Sequence, residues 1–321
     1  MQMVKQNRLN AIFLMGATGT GKSAVALRLA KNFPLEIINV DSVQVYKDLH
    51  IGSAKPTPFE QRMVPHHLID ICEINEIYSA ARFCEDAKKV SSDILSRKKI
   101  PLFVGGTGLY FKSFASGLSI LPKSDPDLRE QLLLKMRKSG LAKLHEWLTT
   151  LDARSAKRIN PNDTQRVLRA LEVCLLAEKP MSAYLEEGCQ GGDLVDPLKF
   201  VIFKADRKLL RDHLRERFQQ MLNRGLINEV INLTYGRRPE DIPNCLKSVG
   251  YKEVLKYLLK ELSYDEMIFR ASISTGQLAK RQDTWFKRER DGFRLESSNH
   301  KALFEKIAQE IEKAGIFRRL S

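Results

Sequence analysis

Short apolar runs alternate with longer stretches of helical spacing in the first third of the chain. Ala11-Ile12-Phe13-Leu14-Met15, Glu36-Ile37-Ile38-Asn39-Val40 and Ile100-Pro101-Leu102-Phe103-Val104 read as buried strands. Between them, Ala24 to Asn32 and Ser79 to Ser96 read as helices, the second with Ala80, Phe83, Ala87, Val90 and Ile94 in one apolar stripe. Such alternation predicts a doubly wound α/β core built on a parallel sheet. Ile51-Gly52-Ser53-Ala54-Lys55-Pro56-Thr57-Pro58 is expected to be a loop, because its two prolines disfavour regular structure.

Beyond Leu121 the pattern changes. Ser124 or Asp125 before Pro126 starts a helix that Leu128, Leu132 and Met136 continue. Leu141, Leu144, Leu148 and Leu151 mark a second helix, which carries Trp147. Asn160-Pro161-Asn162-Asp163-Thr164 opens a third, with Val167, Leu168, Leu171 and Leu175 on one face. The next strand signal is Phe200-Val201-Ile202-Phe203, past the flexible-looking Gln190-Gly191-Gly192-Asp193. Residues 122–198 are therefore predicted to be an all-helical insertion into a core formed by residues 1–121 and 199–321. Asp206 then starts a basic helix with Leu210, Leu214, Phe218 and Met221 facing inward, and Gly225 ends it. Arg207, Arg211 and Arg215 form a row on another face, and Arg217 stands off that row near the core boundary.

Composition narrows the class. With 43% hydrophobic and 29% charged residues over 321 positions, the chain matches a soluble globular enzyme. No apolar run is long enough to cross a bilayer, and Met1-Gln2-Met3-Val4-Lys5-Gln6 lacks a signal-peptide layout. The five cysteines, Cys72, Cys84, Cys174, Cys189 and Cys245, are scattered and never in C-x-x-C spacing. They argue against a disulfide framework or a zinc site and for the reducing cytoplasm. His66-His67 shows no ligand spacing and reads first as packing. The net charge of +14 suits a polyanionic partner, though a solvated basic surface would look the same.

The chemistry is concentrated after the first strand. Gly16-Ala17-Thr18-Gly19-Thr20-Gly21-Lys22-Ser23 fits G-x-x-x-x-G-K-[ST], with a strand before it and a helix after it, as in P-loop NTPases. The glycines let backbone N–H groups close on an anion, and the positive end of the following helix points the same way. Lys22 adds a charge at the terminal phosphate, and Ser23 offers a hydroxyl to Mg²⁺. Asp41, at the end of the second strand, is expected to face the same crevice, or else to cap the turn. The Gly105-Gly106-Thr107-Gly108 turn would let backbone approach a ligand and leave Thr107 as its polar group. Lys280-Arg281-Gln282-Asp283-Thr284-Trp285-Phe286-Lys287 mixes cations with aromatics, which suits either RNA contacts or a helix anchored by its Trp.

Taken together, the P-loop, Asp41-Ser42-x-Gln44-x-Tyr46, Ile51-Gly52-Ser53-Ala54-Lys55-Pro56, Pro65-His66-His67-Leu68-Ile69-Asp70, Tyr78-Ser79-Ala80, Gly105-Gly106-Thr107-Gly108-Leu109-Tyr110, Val249-Gly250-Tyr251 and Lys280-Arg281-Gln282-x-Thr284-Trp285 resemble the tRNA dimethylallyltransferase (IPP transferase) family of bacterial type. The resemblance runs from the P-loop to about Phe286. It implies transfer of a dimethylallyl group from dimethylallyl diphosphate to N6 of the adenosine at position 37 of tRNA. Asp41 would be the base, with Thr107 holding the adenine or the carboxylate. Lys22, Arg217, the P-loop amides and Mg²⁺ would stabilise the leaving diphosphate. The resemblance also implies tRNA contacts at Asp41-Ser42-Val43-Gln44, Thr107, Arg129, Gln165-Arg166-Val167-Leu168-Arg169, Lys247-Ser248-Val249-Gly250-Tyr251-Lys252 and Lys280 to Lys287, on the anticodon stem-loop. Ala17 stands where the family usually has Pro, and Lys247 and Lys252 where Arg is common. A monomer without membrane attachment is expected. The competing classes are a P-loop kinase that phosphorylates a small metabolite from ATP, and a non-enzymatic RNA-binding switch gated by its P-loop.

Overall fold

The computed structural model describes residues 9–188, 190–191 and 195–319. The expectations for residues 1–6, Cys189 and the Gly192-Asp193 pair lie outside them. The chain divides into two compact units, residues 1–115 with 194–321, and residues 116–193.

The first unit is built on β1 (Leu9–Gly16), α1 (Lys22–Asn32), β2 (Leu35–Val40), α2 (Pro58–Met63), β3 (His66–His67), α3 (Ala80–Ser96), β4 (Ile100–Gly105) and α4 (Gly108–Ser116). The second contains β5 (Gly117–Leu118), α5 (Pro126–Ser139), α6 (Leu141–Leu151), α7 (Ala153–Arg158), α8 (Thr164–Ala177), α9 (Met181–Glu186) and β6 (Gln190–Gly191). The chain then returns to the first unit through β7 (Val195–Phe203), α10 (Arg207–Asn223), α11 (Leu226–Thr234), α12 (Tyr251–Leu258), α13 (Tyr264–Phe286), β8 (Phe293–Glu296) and α14 (His300–Ala314).

Six strands form one sheet in the order β3-β2-β4-β1-β7-β8, and every neighbouring pair is parallel. Alternate residues of β1 divide between its two faces. Ala11, Phe13 and Met15 join a cluster with Phe83, Phe111, Phe218 and Met267, while Ile12 and Leu14 join one with Val25, Leu29, Ile307 and Ile311. The sheet is thus covered on both sides, as the doubly wound reading requires. Neighbours β1 and β4 send their chains in opposite directions, one to β2 and the other onward to β7. Their carboxyl ends therefore flank the crevice where α/β sheets hold ligands.

Both ends of the insertion differ from expectation, and it begins at residue 116 instead of 122. Val195 to Leu198 belong to β7, where they pair with Leu9 to Ile12, so the core resumes before residue 199. The inserted unit is helical except for β5 and β6, which pair antiparallel over two residues each. Its core is Leu132, Leu144, Leu148, Val167, Leu168 and Leu171, close to the stripes expected from spacing. Pro58 does not prolong the preceding loop. It takes the first position of α2, where a missing N–H costs nothing, behind a Thr57–Glu60 capping box. Among the described residues no helix is long and apolar enough to cross a membrane, and Cys72, Cys84, Cys174 and Cys245 are unpaired.

Candidate functional site

A cavity of about 440 Å³ opens above the strand ends of β1, β2 and β4. Its wall includes Gly19, Lys22 and Ser23 from the P-loop, Asp41 and Gln44 from the turn after β2, Gly105 at the end of β4 and Gly106 just after it, and His213 and Arg217 from α10. The P-loop thus sits where its sequence context placed it. Gly21 caps α1 at φ 81 with no side-chain cap bond, so the first-turn N–H groups of α1 stay available to an anion. A side chain there would be strained, and its Cβ would lie 2.4 Å from the His300 ring. Ala17 packs with Leu214 and Ala279, which fastens the loop to α10 and α13.

Lys22 folds back so that Nζ donates to the Ala17 carbonyl at 2.6 Å. Burial, and secondarily the Arg217 guanidinium, lower its pKa to about 7, with Asp41 opposing them. Arg217 is held in the same wall, where burial lowers its pKa and Asp41 raises it. Asp41 Oδ1 accepts from the N–H groups of Val43 at 2.8 Å and Gln44 at 3.3 Å. The capping and the cleft-facing readings of Asp41 are therefore both realised: one oxygen orients the carboxylate, and Oδ2 has no hydrogen bond among the described residues. A buried lysine, a half-buried arginine, a helix N-terminus with open N–H groups and an oriented carboxylate share one enclosure.

Thr107 is not part of this wall. Its N–H donates to the Val40 carbonyl at 3.2 Å, one residue from Asp41, and its half-buried side chain follows Gly106 at the turn. Ser23 is exposed at the start of α1. Among the described residues no three His, Cys, Asp or Glu side chains converge to hold a metal. The Ser23 hydroxyl is placed where it could hold a divalent ion.

Burial separates the residues expected to touch RNA into two groups. Ser42, Gln165, Arg166, Lys247, Lys280, Arg281, Thr284 and Lys287 are exposed. Val167, Leu168, Tyr251 and Phe286 are at most 1% exposed, so their side chains pack the interior and cannot contact RNA. Gly250 is buried as well and serves as the N-cap of α12. Arg169 is committed within its own unit, pairing with buried Glu172 at 2.7 Å and donating to the Pro122 carbonyl at 2.6 Å. Arg129, expected as a single contact, donates to Gln165 at 2.7 Å. Lys247 and Lys252 lie against Asn244 and Glu253. Trp285 is half-buried against the core cluster, as an anchoring Trp would be, and Asp283 pairs with Lys287 at 3.1 Å. Ser248 donates to the Cys245 carbonyl, while Val43 and Val249 are half-buried.

Several contributors escape a reading by motif. Glu229 on α11 accepts from the N–H groups of Ile51 and Gly52 at 2.7 and 3.2 Å and from the Tyr251 hydroxyl at 2.6 Å. The same hydroxyl accepts from the Ser53 N–H at 3.1 Å. This clamp holds the loop whose Ser53 and Ala54 carbonyls accept from Gln44 Nε2, so it shapes the cavity from outside. No local signal could reveal it, because Glu229 lies far along the chain. His213 does carry a signal, since it precedes Arg217 by one helical turn. Burial, then Lys204 and Arg217, lower its pKa.

The model of the family described as IPP transferase matches residues 44–289. A protein named tRNA dimethylallyltransferase from Nitrosomonas europaea is 45% identical over 277 residues, covering 86% of this chain and 87% of the relative. One of the same name from Methylococcus capsulatus is 40% identical over 302 residues, covering 94% and 96%. Among solved structures, the tRNA delta(2)-isopentenylpyrophosphate transferase of Staphylococcus epidermidis aligns with a TM-score of 0.68 at 33% identity, covering 95% of this chain and 99% of its own. A eukaryotic dimethylallyltransferase acting on tRNA aligns with a TM-score of 0.75 at 28% identity, covering 90% and 74%. A parallel P-loop core, an inserted helical unit and sequence similarity over most of the chain agree: the protein belongs to the IPP transferase family.

Proposed function

We propose that the protein transfers the dimethylallyl group of dimethylallyl diphosphate to the exocyclic N6 of adenosine 37 in tRNA, releasing diphosphate. The observation that carries this reading is the enclosure shared by Lys22, Arg217 and Asp41 in a member of this family. An adenine amino group is a poor nucleophile because its lone pair is delocalised into the ring, so it needs both positioning and a base. N6 attacks C1 of the dimethylallyl group, and the C1–O bond breaks with its electron pair passing to the diphosphate. The N6 proton passes to Asp41 Oδ2, the oxygen that the turn leaves open. Thr107, beside the end of β2, would hydrogen-bond the adenine or the carboxylate.

The leaving group gathers negative charge on the diphosphate, and Lys22, Arg217 and the first-turn amides of α1 oppose it in a partly desolvated wall. Mg²⁺, held by Ser23 and the diphosphate, would supply further charge neutralisation. Exposed cations at Arg166, Lys247, Lys280, Arg281 and Lys287 suit phosphates of the anticodon stem-loop. An unpaired loop base is cheaper to extrude than one in a duplex. In this reading the protein works as a cytoplasmic monomer.

Incubating the protein with labelled dimethylallyl diphosphate, Mg²⁺ and unmodified tRNA should place the label on N6 of adenosine 37. Tight tRNA binding with no covalent product, or phosphoryl transfer from ATP to a small hydroxyl compound, would overturn the reading.

A further inference from the structure

Near its C-terminal end, α13 presents opposite faces to different surroundings. Lys280, Arg281, Thr284 and Lys287 are exposed, whereas Gln282 and Trp285 turn inward. Gln282 Oε1 accepts the Thr18 N–H of the P-loop at 2.9 Å. Its Nε2 donates to the Gly106 carbonyl at 3.0 Å, in the turn that precedes Thr107. One side chain therefore joins the loop assigned to the diphosphate to the turn assigned to the adenine.

The chemistry of this join is selective. One end must accept and the other must donate, which a neutral carboxamide does and a carboxylate does not. The approach is also close. A Cβ on Gly106 would lie 2.3 Å from Gln282 Nε2. The neighbouring contact on the same helix face repeats the pattern, since a Cβ on Gly108 would lie 2.2 Å from Trp285 Cδ1. The two glycines give room for α13 to seat against the turn. Because its N–H is already taken, Thr18 is not a phosphate donor, and phosphate contacts fall to the later amides of the loop.

We infer that Gln282 is a positioning residue for the transfer, and that it acts by locking the P-loop to the Gly105–Gly108 turn rather than by touching RNA. This rests on the function proposed above. The distance between a carbon held by its diphosphate and an amine held beside Asp41 depends on how those two loops are registered. An error of about 1 Å in such a register can cost roughly a hundredfold in rate.

The test compares wild type, Gln282→Ala, Gln282→Glu, Gly106→Ala and the Gln282→Ala/Gly106→Ala double variant. Gln282→Glu keeps the size and the acceptor but loses the donor, so it serves if the alanine variant does not fold. Three quantities are read: the single-turnover rate at saturating tRNA and dimethylallyl diphosphate, the Kd for tRNA, and amide hydrogen exchange of the peptide spanning Phe13 to Thr20. Each single variant should lose roughly 30- to 100-fold in rate, keep its tRNA Kd within about twofold, and exchange faster in that peptide. The double variant should be little worse than either single one, because both break the same contact.

A weakened tRNA Kd with an unchanged saturating rate would make Gln282 an RNA contact and overturn the inference. So would additive losses in the double variant, or unchanged exchange. If wild type itself transfers no label, the functional reading fails. The exchange data then still decide whether Gln282 locks the loop, and unchanged exchange would overturn the lock.

Discussion

Lys22 keeps its ammonium in the wall of a cavity that also holds Arg217, and burial brings its pKa to about 7. An incoming diphosphate favours the charged form and raises that pKa, so binding must take up protons wherever the free lysine is partly neutral. Calorimetry with inorganic diphosphate and Mg²⁺, in buffers of different ionisation enthalpy, should show uptake that grows as pH rises from 6 to 8.5. The affinity should fall over the same range, by up to about tenfold per unit above pH 7. Lys22→Met should remove most of this uptake, and pH-independent binding by wild type would contradict the assignment. At this scale the sequence was most informative where chemistry needs a fixed local spacing. The P-loop and Asp41 stand beside strands that can be recognised, and Arg217 departs visibly from an arginine row. Glu229 and the inward role of Gln282 depend on partners far away along the chain, and no periodicity encodes them.

Among the elements, the sheet edge is fastened by charge at the end remote from the cavity. Glu36, 2% exposed at the start of β2, accepts from His67 of β3 at 2.7 Å, from Arg97 after α3 at 2.7 Å and from Lys99 at 3.0 Å. Burial would raise its pKa, but these partners outweigh it and hold the carboxyl at about 2. A carboxylate whose folded pKa lies below its unfolded value stabilises the fold above the unfolded value of 4.5. That contribution is lost as pH falls from there towards 2. Glu36→Gln leaves the surrounding cations without their anion and should cost about 2–4 kcal/mol at pH 7. It should also flatten the loss of stability between pH 5 and 3, which denaturant melts would measure; a variant as acid-sensitive as wild type would contradict this. The elements that sequence pattern misses are short or interrupted. The helices α7 and α9 have six residues each, too few for a periodic stripe. The start of β7 carries Pro197, which disguises a strand, yet β8 joins β7 only from Phe200 onward, so the proline falls where that side has no partner. The basic stretch on α13 reads as one surface in sequence, but 3.6-residue geometry splits it into an exposed cationic face and an inward face that holds loops.

Over the whole molecule, a net charge of +14 is spread across many exposed lysines and arginines. Affinity for a polyanion built in this way is distributed, so no single group on it is decisive for binding. Catalysis in the proposed reaction is concentrated instead on the Asp41 carboxylate, which stands with an open oxygen in the enclosure that holds Lys22 and Arg217. Fold class was legible because alternating strands and helices leave few topologies open, and the helical insertion was legible because strand signals stop at its start. The same basic charge was equally compatible with an unremarkable solvated surface, and family membership, not charge, resolved it. The most direct test is therefore the single-turnover rate of Asp41→Ala with tRNA and dimethylallyl diphosphate both saturating. The rate should fall at least about a hundredfold, while the tRNA Kd stays within about threefold because the distributed cations remain. A variant that transfers the label at the wild-type rate would contradict the account.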